Sequence, residues 1–410
     1  MQGIFIEFVR NLRDPIRSRR QEKIREVELS WSDRELASFR AFVAGLQPAE
    51  MSDICFALSD ATAIPLLELL IDLAETNNEL MQVAMRSLAK VPVSAKLYLA
   101  NRLFSSKNNL IRSEACGLLA GTSKAALPFF LKALDDASEL VTISAIKAIM
   151  KLELSEAADK IVPKLRSGTE EIKSLAMDAL SRLGGNSKLF EDGLLAIYNN
   201  AGEKVSLRGK AAQVLALAKS QASHNVLLET VSSGRDAPEL LRLSALALSA
   251  WPDRKTIDLL LSVANRNVAI LAEAARRSIG QMDSEKALPL LVASLKNDSA
   301  AMAMAAADAL GGMRHPGAGM ALCEHLPGEE RPAVIAAVSD ALGRSGFSGA
   351  WQALRTKLAT SRGSSALTLL ASLADAAREA NLDELSVFLE NAADEKSQEL
   401  LLRRLAAFSQ

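Results

Sequence analysis

Residues 286–313 read KALPLLVASLKNDSAAMAMAAADALGGM: an apolar run with an early proline, a polar turn, an alanine-rich run and a closing glycine pair. Alanine and leucine favour helix, and the Asn, Asp and Ser of the turn can cap a second helix. A glycine just past an apolar run is typical of a helix end. The stretch therefore predicts two helices joined by a short turn.

The same pattern recurs along the chain at intervals of 30 to 35 residues. Its most regular position, here called the anchor, is an aliphatic residue near the end of the second helix. The anchors are Leu88, Leu119, Ile149, Leu180, Leu215, Leu248, Ile279, Leu310, Leu342, Leu373 and Leu405. A small residue stands four positions before most anchors and a large one eight before, as in Met302, Ala306 and Leu310. This spacing puts all three on one helix stripe, which we expect to be buried.

Composition agrees with a helical array. Hydrophobic residues make up 49% of the 410 residues but aromatic residues only 4%, so the apolar content is mostly Ala and Leu, and alternating strand patterns are almost missing. Hairpins that repeat at a fixed period contact only their neighbours when they stack. We predict an all-α, right-handed α-solenoid of about eleven helix hairpins.

Residues 1–60 do not join the repeat, and we predict two domains: residues 1–60 as an irregular helical cap, and residues 61–410 as the solenoid. Ser32 and Glu35 form a capping-box pattern at the start of a hairpin over 30–60. Ahead of it lies a short amphipathic helix over residues 4–12, whose predicted apolar side is Ile4, Phe5, Phe8 and Val9. We expect this helix to cover the open end of the stack. The alternatives are insertion into a partner's groove or docking on an anionic membrane.

The repeated phrase Ala-Leu-Pro-x-Leu, the polar turn and the ending Ala-x-x-Ala-Leu-Gly closely resemble HEAT repeats, in the short form of the bacterial lyase-type HEAT-like class. The resemblance covers about residues 61–405 and implies the fold rather than a function. HEAT second helices often carry an Arg just after the buried aliphatic residue, but here that position is basic only as Arg112, Lys173 and Arg208. Thr142, Ala272 and Ala303 stand there in other repeats. We expect the Asp–Arg ladder of the family to be broken, above all in the C-terminal half.

Charge and cysteine content limit the function classes. The net charge of −1 gives the whole molecule no basic footprint for nucleic acid, so no nucleic-acid partner is expected. Three widely spaced cysteines, Cys55, Cys116 and Cys323, predict neither a disulfide framework nor a zinc site. No apolar run approaches the length of a spanning helix, so we expect a cytoplasmic protein.

Few residues suggest chemistry. Cys323 and His325 are close in sequence but point in different directions on a helix, and His224 and His315 lie alone. The glycine-rich stretch 311–319 has no preceding strand and no Lys-Ser/Thr pair, so it predicts a linker turn rather than a phosphate site. We predict no catalytic residue, no metal and no cofactor.

Basic residues on the second helices of the first half mark a candidate partner-binding surface: Arg86, Arg112, Lys147, Lys173, Arg208 and Lys210. Asp308 and Asp340 occupy corresponding positions in the second half. The leading hypothesis is a non-enzymatic scaffold or adaptor that binds another protein, possibly one with an acidic surface. The alternatives are a membrane-docked adaptor that uses the N-terminal helix, and a HEAT-like enzyme of the phycobilin lyase or DNA glycosylase type.

Overall fold

The computed structural model describes residues 2–58, 61, 64–76, 78–184, 188–265, 268–313, 315–362 and 364–377, with single positions at 387, 399 and 402. These residues form helices joined by short turns, and none of them lies in a β-strand. The predicted all-α fold is confirmed. The chain divides into two compact units, residues 1–197 and 198–410. The domain boundary at residue 60 stays a prediction.

Helices of the first unit fill most of residues 2–199. They are α1 Gln2–Leu12, α2 Arg17–Ser30, α3 Asp33–Val43, α4 Pro48–Ala57, α5 Ile64–Ala74, α6 Asn78–Leu88, α7 Val93–Phe104, α8 Asn109–Leu119, α9 Leu127–Ala133, α10 Glu139–Lys151, α11 Ala158–Ile161, α12 Lys164–Ser167, α13 Glu170–Leu183 and α14 Lys188–Asn199. The last of these runs across the boundary between the units.

Helices of the second unit are longer and more uniform. They are α15 Val205–Ala218, α16 Gln221–Ser233, α17 Pro238–Ala247, α18 Arg254–Ala264, α19 Ala269–Gln281, α20 Ser284–Leu295, α21 Ala300–Gly312, α22 Pro316–His325, α23 Pro332–Ser345, α24 Ala350–Thr360 and α25 Ser364–Ala376. Within these described residues no helix is long and apolar enough to cross a membrane.

The anchors from Leu88 to Leu373 lie in the second helix of each hairpin or directly after it, and all are buried. The small residues four positions earlier are buried too: Ala84, Ala115, Ala145, Ala176, Ala211, Ser244, Ala275 and Ala306. Met302 is the exception to the predicted stripe, because it is half-exposed and its neighbour Ala303 takes the buried place. The eleventh anchor, Leu405, lies outside the described residues.

Second helices pack on one another in chain order within each unit: α6, α8, α10 and α13 in the first, and α15, α17, α19, α21, α23 and α25 in the second. The small residues of the stripe permit this close approach because a methyl group leaves room for the neighbouring backbone. Each unit is a solenoid of stacked hairpins. Its right-handed sense stays a prediction.

The prolines of the first helices stand at two different depths. Pro65 and Pro128 are the second residues of α5 and α9, where the missing N–H has no helical partner in any case. Pro289 is the sixth residue of α20, after a turn that begins with Asp283 accepting a hydrogen bond from the Glu285 N–H. The same sequence phrase thus begins a helix in two repeats and lies inside one in a third.

The N-terminal helix α1 packs on the hairpin α3–α4, and the predicted capping box of Ser32 and Glu35 begins α3. Phe5 and Phe8 each place their rings 5.2 Å from that of Trp31 and near that of Phe39. Four residues of α1 are buried, Phe5, Phe8, Val9 and Leu12. The helix therefore covers one end of the first unit's hairpins.

Ile4 was wrongly assigned to the buried side of this helix, since 55% of its surface is exposed. The buried arc of α1 is centred on Phe5 and Leu12, and Ile4 lies about a quarter turn away from it. Leu12 lies at that centre and is buried.

Candidate partner-binding surface

The six basic residues predicted to bind a partner occupy different environments. Arg86 on α6 and Lys147 on α10 are exposed, and neither forms an ion pair with a described residue. Lys173 on α13 and Lys210 on α15 are half-exposed and interact within the chain. As one partner-binding set these residues stay a prediction.

The hydrogen-bond donors of the Arg112 side chain are mostly used within the fold. Its Nε and one terminal nitrogen donate to the two carboxylate oxygens of Asp136 at 2.7 Å each, and the other nitrogen donates to the Ser106 carbonyl at 2.9 Å. The side chains of Arg112 and Asp136 are only 15% and 14% exposed. The Arg112 guanidinium also holds the pKa of the Asp136 carboxyl below its usual range. Arg112 therefore ties α8 to the turn before α10 and presents little charge to solvent.

Arg208 makes the equivalent link in the second unit. Its Nε donates to the Tyr198 carbonyl at 2.7 Å, a terminal nitrogen donates to Asp236 at 3.0 Å, and its side chain is 11% exposed. A guanidinium this enclosed stabilises the hairpins it joins and offers a partner almost no surface. The prediction that Arg208 faces a partner is therefore not supported by its burial.

The acidic residues of the second unit are also paired within the chain. Asp308 on α21 accepts from Arg276 at 2.8 Å and from Arg344 at 2.9 Å. Arg344 reaches Asp340 as well, at 2.9 Å. These four residues form a continuous network across three second helices, so Asp308 and Asp340 are not isolated negative charges.

A groove of about 670 Å³ lies between α6 and α8, and its lining includes Arg86. Met81 and Met85 form the floor on the α6 side, and each is 7% exposed. Leu110 and Leu118 line the α8 side, with Leu110 36% exposed. The rest of the lining is Gln82, Ala89, Glu114 and Gly117, all exposed. The groove is an open apolar strip with charged residues at its sides.

Gly117 lies in the last turn of α8 on the wall of this groove. A Cβ built at Gly117 would have no described group within 4 Å apart from its own helix backbone. By contrast, a Cβ at Gly311 would lie 2.6 Å from the Ala341 Cβ and 2.8 Å from its Cα. Internal packing therefore requires a glycine at position 311 and not at position 117.

A smaller recess of about 400 Å³ lies between α10 and α13. Lys147 lines it together with three carboxylates, Glu170, Glu171 and Asp178. The exposed surface of the second helices thus turns from mixed charge at α6 and α8 to mainly acidic at α13.

The cysteines and histidines are held in structural environments. Burial raises the pKa of Cys55 and Cys116 to about 12, and that of Cys323 to about 11. The His224 ring is buried against Trp251 at 5.0 Å, its Nε2 lies 2.7 Å from the Thr256 hydroxyl, and burial lowers its pKa. Within the described part of the chain, no group of three or more His, Cys, Asp and Glu side chains could hold a metal ion.

Known proteins resemble this chain in its repeats. Residues 266–343 match a family model described as HEAT repeats. This match shows HEAT-type repeats in residues 266–343. The lyase-type grouping within the HEAT repeats stays a prediction. No curated protein sequence matches the chain.

Several solved structures are similar to this chain at low sequence identity. Kap121p is 14% identical over 93% of this chain, with a TM-score of 0.44, and the chain spans about half of it, 53%. A chain from a structure of Kap95p with RanGDP is 12% identical over 99% of this chain and 66% of its own length, with a TM-score of 0.44. An engineered protein is 17% identical over 84% of this chain and 99% of its own length, with a TM-score of 0.36.

The Asp–Arg ladder of the HEAT repeats is interrupted as predicted. Arg112 and Arg208 make their pairs with Asp136 and Asp236, whereas Ala272 and Ala303 have no side-chain nitrogen to donate. Thr142 replaces the ion pair with a hydroxyl that donates to the Leu134 carbonyl at 3.4 Å.

In the second unit a different arginine reaches across the turns. Arg331 precedes α23 and donates to two main-chain carbonyls, that of Asn297 at 2.8 Å and that of Asp298 at 3.2 Å. It also clamps the carboxylate of Glu329 at 2.8 and 2.7 Å, and His325 lies 2.9 Å from the same carboxylate. Glu329 is 5% exposed, and the Arg331 guanidinium lowers its pKa to about 2. Sequence reasoning missed this cluster because Glu329 and Arg331 lie in a turn rather than on a periodic stripe.

Proposed function

We propose that this chain is a non-enzymatic scaffold that binds another protein through the exposed surface of α6 and α8. HEAT-repeat solenoids are typical of protein-binding scaffolds. The observation that carries the proposal is the groove between these helices. Two largely buried methionines, Met81 and Met85, form its floor, and the partly exposed Leu110 and Leu118 stand beside charges that the fold does not pair, which is a composition that suits a protein partner.

The state of the reactive side chains supports a binding role over catalysis. A thiol whose pKa is raised to about 12, as in Cys55 and Cys116, stays protonated and is a poor nucleophile. His224, His315 and His325 each have a partner within the fold: Thr256, the Gly317 N–H and Glu329, respectively. These contacts give each histidine a structural role.

The burial of the apolar side chains of α1 supports the hypothesis that this helix is a cap rather than a membrane anchor. Phe5, Phe8 and Val9 lie against the hairpin α3–α4, so a membrane could reach them only if α1 left that hairpin. The cysteine residues support a reducing compartment, and hence a cytoplasmic location, because Cys55 and Cys116 are buried and unpaired in separate hairpins.

Site-specific photocrosslinking tests the scaffold function. A crosslinking amino acid at Gln82, on the rim of the groove, is expected to capture a partner protein in cells. Glu273 is the matched control, because it is exposed at the same position of its repeat, six residues before the anchor. An adduct at Gln82 and none at Glu273 supports the proposal. Adducts at Glu273 alone, or at neither position, would contradict it.

A further inference from the structure

The groove between α6 and α8 is lined by two regular rows of side chains. Met81 and Met85 stand at i and i+4 on α6, with Ala89 directly after that helix, and Leu110, Glu114 and Leu118 stand at i, i+4 and i+8 on α8. Each row extends about 12 Å, or roughly two helical turns. An amphipathic helix can lay its apolar face in a groove that two helices form between them. The groove therefore has the form that a third helix fits.

The floor of the groove suits a variable apolar surface. Met81 and Met85 are unbranched and can adapt to the side chain that meets them. Leu110 and Leu118 provide a firmer wall opposite. An aliphatic side chain entering between the two rows would lose water on both sides, which is the main source of affinity in a helix-in-groove complex.

Gly117 gives an occupant room to approach. Glycine inside a helix is less stable than alanine, and no described group uses the space that a Cβ at position 117 would fill. The fold gains nothing from the missing side chain. A helix lying in the groove gains closer contact with the α8 backbone at that point.

The charges on the two sides of the groove determine which charges a partner can carry beside its apolar side chains. Arg86 stands on the α6 side and Glu114 on the α8 side, and within the described residues neither has an ion-pair or hydrogen-bond partner for its side chain. A partner that presents only acidic residues would satisfy Arg86 and be repelled by Glu114. Charge complementarity therefore requires one sign on each flank.

We propose that this groove binds one amphipathic helix of a partner protein. The helix inserts two aliphatic side chains spaced i, i+4 between the two rows, and sets a carboxylate against Arg86 and a cation against Glu114. This inference rests on the scaffold function proposed above and names the chemistry of the partner.

Three hydrocarbon-stapled helical peptides of about 14 residues test the proposal by fluorescence anisotropy with the full-length chain. All carry a Leu pair at i, i+4. One has Glu on one flank and Lys on the other, one has Glu on both flanks, and one has Lys on both. The mixed peptide is expected to bind about fivefold more tightly than either single-sign peptide. In the double variant Arg86→Gln, Glu114→Gln the three affinities should become equal.

Gly117→Leu fills the close-approach point and should weaken binding of the mixed peptide by roughly tenfold or more. Gly280→Leu is the matched control, because Gly280 is an exposed glycine of a second helix with equally open space at its Cβ. Gly280→Leu should bind as the parent does. Gly117→Ala, which adds one methyl group, gives a smaller loss and guards against misfolding of the leucine variant, and thermal melts of each variant confirm the fold.

Absence of saturable binding by the mixed peptide up to about 1 mM would overturn the proposal. So would equal affinities of the three peptides for the parent protein, or full binding by Gly117→Leu. If the peptides fail while crosslinking at Gln82 still captures a partner, the scaffold function stands and the helical occupant is wrong.

Discussion

The two units place side chains at the same position of the repeat, two residues before the anchor, and use them differently. In the first unit this position is Arg86 and then Gly117, both on the open groove. In the second unit it is Asp308 and Asp340, which Arg276 and Arg344 neutralise. The second unit uses its surface charge to hold successive second helices together. Around α6 and α8 the first unit leaves Arg86 unpaired and the space beside Gly117 unfilled within the described residues.

The difference extends to the turns. In the second unit the Glu329 carboxylate accepts hydrogen bonds from Arg331 and lies beside His325. Lys357 donates to the Pro327 and Glu329 carbonyls at 3.1 and 2.8 Å. Arg331 continues to the turn at Asn297. Three consecutive hairpins are thereby connected by one buried carboxylate and two cations. These contacts predict a second unit that depends on polar links.

The largest expected effect comes from removing the buried carboxylate. Glu329→Gln leaves Arg331 without its counter-charge in a site where Glu329 is 5% exposed. We expect the free energy of unfolding to fall by about 2 kcal/mol or more, the effect of losing charge-assisted hydrogen bonds, because Arg331 is itself 33% exposed and can regain water. Glu330→Gln, at an exposed neighbour, should change it by less than about 0.5 kcal/mol. Chemical denaturation measures both, and equal stabilities of the two variants would show that the cluster does not hold the hairpins together.

The same carboxylate predicts a specific dependence on pH. Its pKa falls from 4.5 to about 2 in the folded protein, so its contribution to stability is complete above pH 4.5 and is lost as the pH falls toward 2. The parent protein should therefore lose more stability across this range than Glu329→Gln. Urea denaturation at several pH values measures the two slopes. Parallel slopes would mean that the Glu329 carboxyl titrates normally in the folded state.

The two glycines give a matched comparison of the units. Gly311→Ala should lower the free energy of unfolding by about 2 kcal/mol, because the added Cβ meets the Ala341 backbone at 2.8 Å. Gly117→Ala should raise it by about 0.5–1 kcal/mol, because alanine favours helix and the space is open. Thermal and chemical denaturation give both signs. A destabilised Gly117→Ala would show that packing, rather than an external partner, requires that glycine.

The smallest effects concern the exposed charges. Asp308→Asn removes contacts with Arg276 and Arg344 from a side chain that is 34% exposed, and should lower the free energy of unfolding by roughly 0.5–1 kcal/mol. High salt should reduce this difference. Arg86→Gln should leave stability unchanged within about 0.3 kcal/mol, since the fold does not pair Arg86. Similar losses in the two variants would remove the distinction between the units.

The repeat period predicted most of the fold. Burial every i, i+4 and i+8 follows from helix geometry, so residues such as Ala115 and Leu119 could be assigned from spacing alone. The capping box that begins α3 was predicted from Ser32 and Glu35, because it depends only on the local backbone. Ile4 was wrong because it lies at the edge of the apolar side, about a quarter turn from Phe5, and the aromatic rings of Trp31 and Phe39 cover the arc around Phe5 instead.

The candidate surface could be predicted only in part. Sequence identified Arg86 and Lys147 as exposed cations but could not separate them from Arg112, because the pairing of Arg112 with Asp136 joins residues 24 apart on different hairpins. The groove depends on the space left between two helices. No local pattern encodes that space, although an unexplained glycine such as Gly117 is the sequence signal that could have drawn attention to it.

The acceptors used by Arg331 and Lys357 bear on how such a chain changes in evolution. Both cations reach back to main-chain carbonyls of an earlier turn, at Asn297 and at Pro327. Every turn has main-chain carbonyls, whatever its residues. A donor side chain that moves with its hairpin can therefore meet a carbonyl acceptor in any preceding turn of the same shape. The main-chain part of these links does not depend on which side chain the earlier turn carries. The groove of the first unit needs two unlike neighbours, α6 and α8, and a single duplication between them would erase it.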